Sequence, residues 1–144
     1  MAERVALIDY GAGNLRSVWN ALRAAGADEI AVTADPAELR AADRIVLPGV
    51  GAFAAAMRAL SAMPGMIEAL DDTVRRKARP FLGVCVGMQL MAERGEEHGE
   101  TRGLGWCRGT VRAIEPDAKL KIPHMGWNDV LPTAYHPLIA PGEA

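Results

Sequence analysis

The residues best placed to do chemistry lie in the run Pro80-Phe81-Leu82-Gly83-Val84-Cys85-Val86-Gly87-Met88-Gln89-Leu90-Met91. An apolar, strand-like stretch from Phe81 to Val84 enters a Gly-x-Cys-x-Gly turn, and an apolar helical segment leaves it. This is the pattern of a nucleophile elbow with cysteine in place of serine: the tight turn pushes one side chain out of the end of a sheet, and small neighbours give the backbone room to bend. A thiol at a helix N-terminus also faces the positive end of the helix dipole, which favours the nucleophilic thiolate. A plain buried cysteine in an apolar strand is the ordinary alternative. The two glycines bracketing Cys85, and polar Gln89 one helical turn later, favour the nucleophile.

The elements that must position this thiol follow from the rest of the chain. Val5-Ala6-Leu7-Ile8 reads as a buried strand ending at Asp9, followed by a Gly11-Ala12-Gly13 turn and by Asn14 as helix N-cap. Leu15, Val18, Trp19 and Leu22 share one face of a helix to about Ala25, closed by Gly26. Glu29 to Thr33 is a second strand, and Asp35-Pro36 opens a short helix through Ala41. Ile45-Val46-Leu47 is a third strand, ended by Pro48-Gly49-Val50-Gly51. Helical stretches follow over about Ala52–Leu60 and Gly65–Arg76, broken at Met63-Pro64-Gly65. Beyond residue 95, Glu96 to Glu100 reads as a polar loop, Gly109 to Ile114 as a strand, and Lys121 to Leu131 as another extended piece.

Strands that are continuous apolar runs, alternating with helices, predict an α/β fold of flavodoxin-like type: a mostly parallel sheet covered by helices on both faces. Ligands in such sheets bind at the carboxyl ends of the strands, where the turns at residues 10–14, 48–51 and 85–88 fall. No repeat or linker divides the 144 residues, so one domain spanning 1–144 is expected.

Bulk composition narrows the function classes. Hydrophobic residues make up 50% of the chain, enough for a real core, and the formal net charge of −2 gives no basic surface for nucleic acid. Arg75-Arg76-Lys77 reads as a solvated helix end. No stretch approaches the roughly 20 apolar residues of a membrane span, and the N-terminus shows no leader pattern, so neither membrane nor export is expected and the location is read as cytoplasmic. Two cysteines, Cys85 and Cys107, suit a reducing compartment, with Cys107 read as structural.

Other chemistries fit less well. Gly11-Ala12-Gly13-Asn14-Leu15-Arg16 is a partial dinucleotide fingerprint whose third glycine is replaced by Arg16, so a simple tight turn is the better reading. Histidines 98, 124 and 136 and the cysteines show no metal-ligand spacing, and no cofactor is expected. Pro48-Gly49-Val50-Gly51 is more informative: beside the elbow strand, it can aim backbone N–H groups at a developing oxyanion, with the N–H of Val86 as second donor. Gln89 and Glu97 follow the elbow closely enough to line its mouth and to hold a small amino-acid substrate.

Four motifs then occur in order: Ile8-Asp9-Tyr10-Gly11-Ala12-Gly13-Asn14-Leu15, Leu47 to Gly51, Gly83 to Gln89, and Pro123-His124-Met125-Gly126-Trp127-Asn128. Together they resemble the glutamine amidotransferase subunits of imidazole glycerol phosphate synthases, class I (triad) amidotransferases of histidine biosynthesis. The elbow and the Pro-Gly-Val-Gly turn mark the wider class; the opening motif and the Pro-His-Met-Gly-Trp-Asn motif are specific to the subunit. The resemblance spans residues 5–138, with Val86 standing where leucine is more usual. It implies that Cys85 attacks the side-chain amide of L-glutamine, that Gly49, Val50, Gly51 and Val86 form or gate the oxyanion hole, and that Gln89 and Glu97 contact substrate. It further implies that ammonia passes to a (β/α)₈-barrel cyclase subunit making imidazole glycerol phosphate and an aminoimidazole carboxamide ribotide. His124, Met125, Gly126, Trp127 and Asn128 match the segment facing that partner, with Trp127 as an aromatic anchor.

One part of the family pattern is missing. Its catalytic histidine and acid lie in a His-Pro-Glu-type motif further downstream, and His136-Pro137-Leu138 lacks the acid and matches a different, earlier segment. A cysteine nucleophile normally needs that base. The sequence therefore reads as a C-terminally truncated domain lacking its last strands, impaired or inactive as it stands. A cyclase-binding module without turnover is the alternative. An amidotransferase subunit of anthranilate or pyridoxal phosphate synthesis is a further one, which the opening motif and the Pro-His-Met-Gly-Trp-Asn motif oppose.

Overall fold

The computed structural model describes residues 3–115, 122–123, 126–129 and 131. The chain divides into two units, residues 1–113 and 114–144. Sequence-expected features at Lys121, His124, Met125, Val130 and His136 lie outside the described residues.

The first unit is built on a four-stranded sheet of β1 (Arg4–Ile8), β2 (Glu29–Thr33), β3 (Arg44–Leu47) and β4 (Phe81–Gly83), in the order β2-β1-β3-β4 and parallel throughout. Parallel neighbours need crossovers, and these are supplied by α1 (Leu15–Ala24), by α2 (Pro36–Ala41), and by α3 (Phe53–Ser61) with α4 (Met66–Leu70) and a π-helical continuation over Asp71–Arg76. Side chains alternate across each strand, which sorts the sheet into two faces. Val5, Leu7 and Val46 pack with Leu15, Val18 and Leu22 of α1. Ile8, Ile45 and Leu47 point the other way, into a larger cluster with Leu39 of α2, Phe53, Ala56 and Leu60 of α3, and Met66, Ala69 and Leu70 of α4. Helices therefore cover both faces, as the continuous apolar strands predict.

Local signals in the sequence set most boundaries. The Asn14 side chain accepts a hydrogen bond from the Ser17 N–H at 3.2 Å, capping α1. Asp35 does the same for Ala37 at 2.8 Å, with Pro36 at the first helical position of α2. Gly26 and Gly65 take left-handed conformations, φ +92° and +75°, at the end of α1 and the start of α4. Arg75, Arg76 and Lys77 are exposed at a helix end, with Lys77 paired to Asp72 at 3.0 Å. Trp19 departs from expectation. It is exposed rather than seated in the α1 face, and its ring lies under the Arg23 guanidinium, 5.8 Å from the ring centroid.

After the elbow helix α5 (Val86–Gln89), a small second sheet of order β6-β5-β7 forms from β5 (Ala92–Gly95), β6 (Thr101–Arg102) and β7 (Cys107–Val111). β5 pairs antiparallel with β6 and parallel with β7. The strand expected over Gly109–Ile114 begins two residues earlier and ends at Val111. Cys107 is a free, exposed cysteine at its start. Gly95 lies under the ring of Phe53: an added Cβ would come 2.5 Å from two ring carbons, so β5 is tied closely to the start of α3.

Candidate active site

The strand order reverses at β1: the chain moves to β2 on one side, then returns to β3 on the other. Crevices at the carboxyl ends of strands form at such a switch point. The β1 strand ends at Ile8, β3 at Leu47 and β4 at Gly83, so the turns carrying Tyr10, Pro48–Gly51 and Cys85 emerge at one edge of the sheet.

Cys85 sits two residues past β4 with φ +55° and ψ −118°, a conformation that side-chain-bearing residues rarely adopt. Backbone hydrogen bonds hold it there. Val84 N–H donates to Leu47 C=O at 2.9 Å, Gly87 N–H to Val84 C=O at 3.0 Å, and the N–H groups of Met88 and Gln89 to Cys85 C=O at 3.0 and 3.2 Å. The thiol is exposed. The helix α5 is a single turn, so the groups facing the thiol are individual N–H donors rather than the summed dipole of a long helix.

The glycines around Cys85 are steric requirements. A Cβ on Gly83 would meet the Met88 Cα at 2.6 Å and the Gly87 carbonyl oxygen at 2.7 Å. A Cβ on Gly87 would fall on the Leu47 carbonyl oxygen, with the carbonyl carbons of Leu47 and Pro48 at 2.8 and 3.1 Å. A Cβ on Gly49 would meet the Gly87 nitrogen at 2.5 Å and Val86 Cβ at 2.9 Å. The elbow and the Pro48–Gly51 turn are therefore in direct backbone contact. Pro48 and Gly49 are buried, whereas Val50 and Gly51 are exposed, Gly51 at φ +83°. Among the described residues, the N–H groups of Gly49, Val50, Gly51 and Val86 find no hydrogen-bond acceptor. Unpaired backbone N–H groups are the type of donor that stabilises a developing oxyanion.

Of the two side chains expected to hold substrate, Gln89 is half-buried four residues after Cys85, hence on the same helical face. Glu97 has a visible structural task. Its Oε2 accepts the Phe53 N–H at 2.9 Å, capping α3, whose own N-cap Ala52 has no side chain to do so. The carboxylate thus stands at the end of the Pro48–Ala52 connection.

Neither its type nor its spacing marks Tyr10 as a site residue in the sequence. It is 6% exposed, and its hydroxyl donates to the Pro48 carbonyl at 2.8 Å. Burial, with a smaller contribution from Cys85, pushes its pKa up from 10.0 to about 12. The signal available in the sequence was an aromatic placed immediately after a buried strand and before a glycine turn. That Gly11–Gly13 turn is an ordinary tight turn, with Gly11 N–H donating to the Asp9 carboxylate at 3.1 Å and Gly13 packed on Pro48.

The described histidine, His98, is exposed in the β5–β6 turn, and among the described residues no hydrogen bond joins Cys85 to a base. No cluster of metal-ligating side chains occurs among the described residues, and no helix among them is long and apolar enough to cross a membrane. In the second unit, Gly126, Trp127 and Asn128 are exposed, and Asn128 Oδ1 accepts the Asp129 N–H at 3.0 Å.

Comparison with known proteins agrees with this geometry. Residues 6–136 match the model of the family "Glutamine amidotransferase class-I". The imidazole glycerol phosphate synthase subunit HisH of Zymomonas mobilis is 59% identical over 144 residues, covering 97% of this chain and 68% of the relative. The HisH subunits of Brucella suis and Rhodopseudomonas palustris are 57% and 55% identical over 141 residues, covering 94% of this chain and 65% of each relative. The chain spans about two thirds of the length of these relatives. With its Gly-x-Cys-x-Gly elbow set on a parallel sheet and nearly all its length matched, the chain belongs to the class-I glutamine amidotransferases and, among them, to the HisH subunits.

Proposed function

We propose that this domain performs the glutaminase half-reaction of imidazole glycerol phosphate synthase, with Cys85 as nucleophile. The observation that carries the reading is the strained, exposed Cys85 set against four unpaired backbone N–H groups. The thiolate sulfur adds to the carboxamide carbon of L-glutamine, and the carbonyl electron pair moves onto oxygen, where the N–H groups of Val86 and the Gly49–Gly51 turn receive it. Collapse of this tetrahedral adduct breaks the C–N bond as the nitrogen takes a proton from water, so that ammonia leaves and a γ-glutamyl thioester remains. Water adds to the thioester, the thiolate departs, and glutamate is released. Gln89, on the Cys85 face of α5, and Glu97, at the start of α3, are the polar side chains proposed to orient the amino acid. Ammonia is then consumed by a cyclase subunit that makes imidazole glycerol phosphate and an aminoimidazole carboxamide ribotide, as the family resemblance implies; the relatives' shared name supports membership in an imidazole glycerol phosphate synthase. The exposed Trp127 with Gly126 and Asn128, together with His124 and Met125, is the proposed docking segment, and Trp127→Ala should weaken that association.

The nucleophile can be tested without any base. The γ-p-nitrophenyl ester of glutamate has a leaving group that needs no protonation, so acylation of Cys85 should release one equivalent of p-nitrophenolate in a burst. L-Glutamine should compete with the burst, and Cys85→Ala should abolish it. A burst retained in Cys85→Ala would refute the assignment. Ammonia release from glutamine in the presence of the cyclase subunit, lost in Cys85→Ser, tests the complete half-reaction.

A further inference from the structure

We infer that Tyr10 is a positioning residue for the oxyanion hole, its hydroxyl fixing the peptide plane that carries the Gly49 N–H. This rests on the reading of Cys85 as nucleophile. The carbonyl that accepts the Tyr10 hydroxyl at 2.8 Å belongs to Pro48, and in the Pro48–Gly49 peptide the same rigid plane bears the Gly49 N–H. The peptide is trans, so C=O and N–H point in opposite directions. Anchoring the oxygen on Tyr10 therefore turns the N–H away from Tyr10 and prevents the plane from rotating.

The surroundings make this anchor effective. Tyr10 is buried in the main core cluster with Ile8, Leu47, Phe53 and Val86, so its ring has little freedom. Pro48 is held on another side by Gly13, where an added Cβ would come 3.0 Å from Pro48 Cβ. Gly49 approaches so closely that its own Cβ would lie 2.9 Å from the Tyr10 hydroxyl and 2.5 Å from the Gly87 nitrogen. The next units of the turn have no such restraint: the N–H groups of Val50 and Gly51 find no acceptor among the described residues, and both residues are exposed. Tyr10 thus divides the turn into an anchored half at Pro48–Gly49 and a free half at Val50–Gly51. The raised pKa keeps the hydroxyl protonated, hence a donor, across the neutral and mildly alkaline range.

The test compares two reactions of the same thiol. Acylation by the γ-p-nitrophenyl ester passes through a tetrahedral oxyanion, whereas alkylation by iodoacetamide is a direct displacement that builds none. In Tyr10→Phe the ring remains and the hydrogen bond is lost. The acylation rate should fall about tenfold to a hundredfold, the range expected for a misplaced catalytic donor, while the iodoacetamide rate stays unchanged. The fall should appear in the limiting acylation rate rather than in the ester concentration giving half that rate. An unchanged acylation rate, or equal losses in both reactions, would overturn the assignment. If Tyr10→Phe does not fold, Gly13→Ala, whose methyl presses on the Pro48 ring, should give the same selective loss; equal rates there would likewise overturn it. A wild-type chain with no burst would instead refute the Cys85 reading on which this one stands.

Discussion

Gly87→Ala is the substitution on which simple rules and this structure disagree most. Gly87 lies inside α5 without a positive φ, and alanine is the better helix former by about 1 kcal/mol, so propensity alone predicts stabilisation. The structure predicts the reverse. The new methyl would fall on the Leu47 carbonyl oxygen, with two further backbone carbonyl carbons at 2.8 and 3.1 Å. None of these is the far end of a flexible side chain. β3 is pinned by its pairing with β1 and β4, so α5 must move away from the Leu47–Pro48 backbone. Forcing a methylene-sized group into a packed site costs about 1–3 kcal/mol, and rigid backbone on both sides puts this case at the upper end.

After the propensity gain, a net loss of about 2 kcal/mol remains, or roughly 5–10 °C in melting temperature for a domain of this size. The same movement carries the Val86 N–H away from the Gly49–Gly51 turn. A displacement on the order of 1 Å is worth about a hundredfold in rate, so acylation of Cys85 should fall far more than iodoacetamide alkylation. Thermal unfolding followed by circular dichroism and the p-nitrophenolate burst read the two effects separately. A melting temperature equal to or above wild type, with an undiminished burst, would refute the claim that elbow and turn are in enforced backbone contact.

Three further outcomes follow from the same geometry. Cys85→Gly should be more stable than Cys85→Ala by about 1 kcal/mol, because only glycine accepts φ +55° without strain; equal denaturant midpoints would show that the strain is absent. Glu97→Ala should cost about 1 kcal/mol through loss of the cap on Phe53, and Glu97→Gln, which keeps an acceptor oxygen, should recover most of it; if the two variants unfold alike, the cap contributes nothing. Alkali should destabilise the fold as pH rises from 10 to 12. The Tyr10 pKa is raised above its ordinary value, so its contribution is complete below pH 10 and is lost as pH climbs through about 12, up to about 3 kcal/mol in total, and Tyr10→Phe should flatten that part of the pH–stability curve.

How much of this was legible in the sequence depended on whether the signal was local. β1 and β3 are short apolar runs and were read within a residue of their ends, as were the Asn14 and Asp35 caps, because each is settled by neighbours in the chain. β5 and β6 carry no strand signal: Ala92-Glu93-Arg94-Gly95 has two charged, exposed residues at its centre, and is held as a strand by backbone pairing to β6 and β7. Trp19 fits the helical period yet stays outside, since three smaller apolar residues already fill the α1 face. The π-helical turn over Asp71–Arg76 carries no compositional mark. In the site, Cys85 and its glycines were legible because the geometry they serve is a sharp local bend. The Glu97 contact with Phe53 spans 44 residues and the Tyr10 contact with Pro48 spans 38, and no spacing rule reaches so far.

The elbow is thus held almost wholly by backbone. Its strain at Cys85 is maintained by main-chain hydrogen bonds from Val84, Gly87, Met88 and Gln89 and by three glycines that let the two turns touch. The donors proposed for the oxyanion are also main-chain groups. The Val86 side chain is buried in the core, so an apolar side chain of similar volume there should leave the N–H where it is. The side chains that matter are those whose loss moves backbone, namely Tyr10, which holds the Pro48 carbonyl, and Glu97, which holds the first turn of α3. Both act on the ends of one segment, Pro48 to Phe53, and between them Val50 and Gly51 are left exposed with free N–H groups. A turn clamped at its two ends and unpaired in its middle fits the proposed role, in which its central peptides supply N–H donors to an oxyanion on the Cys85 adduct.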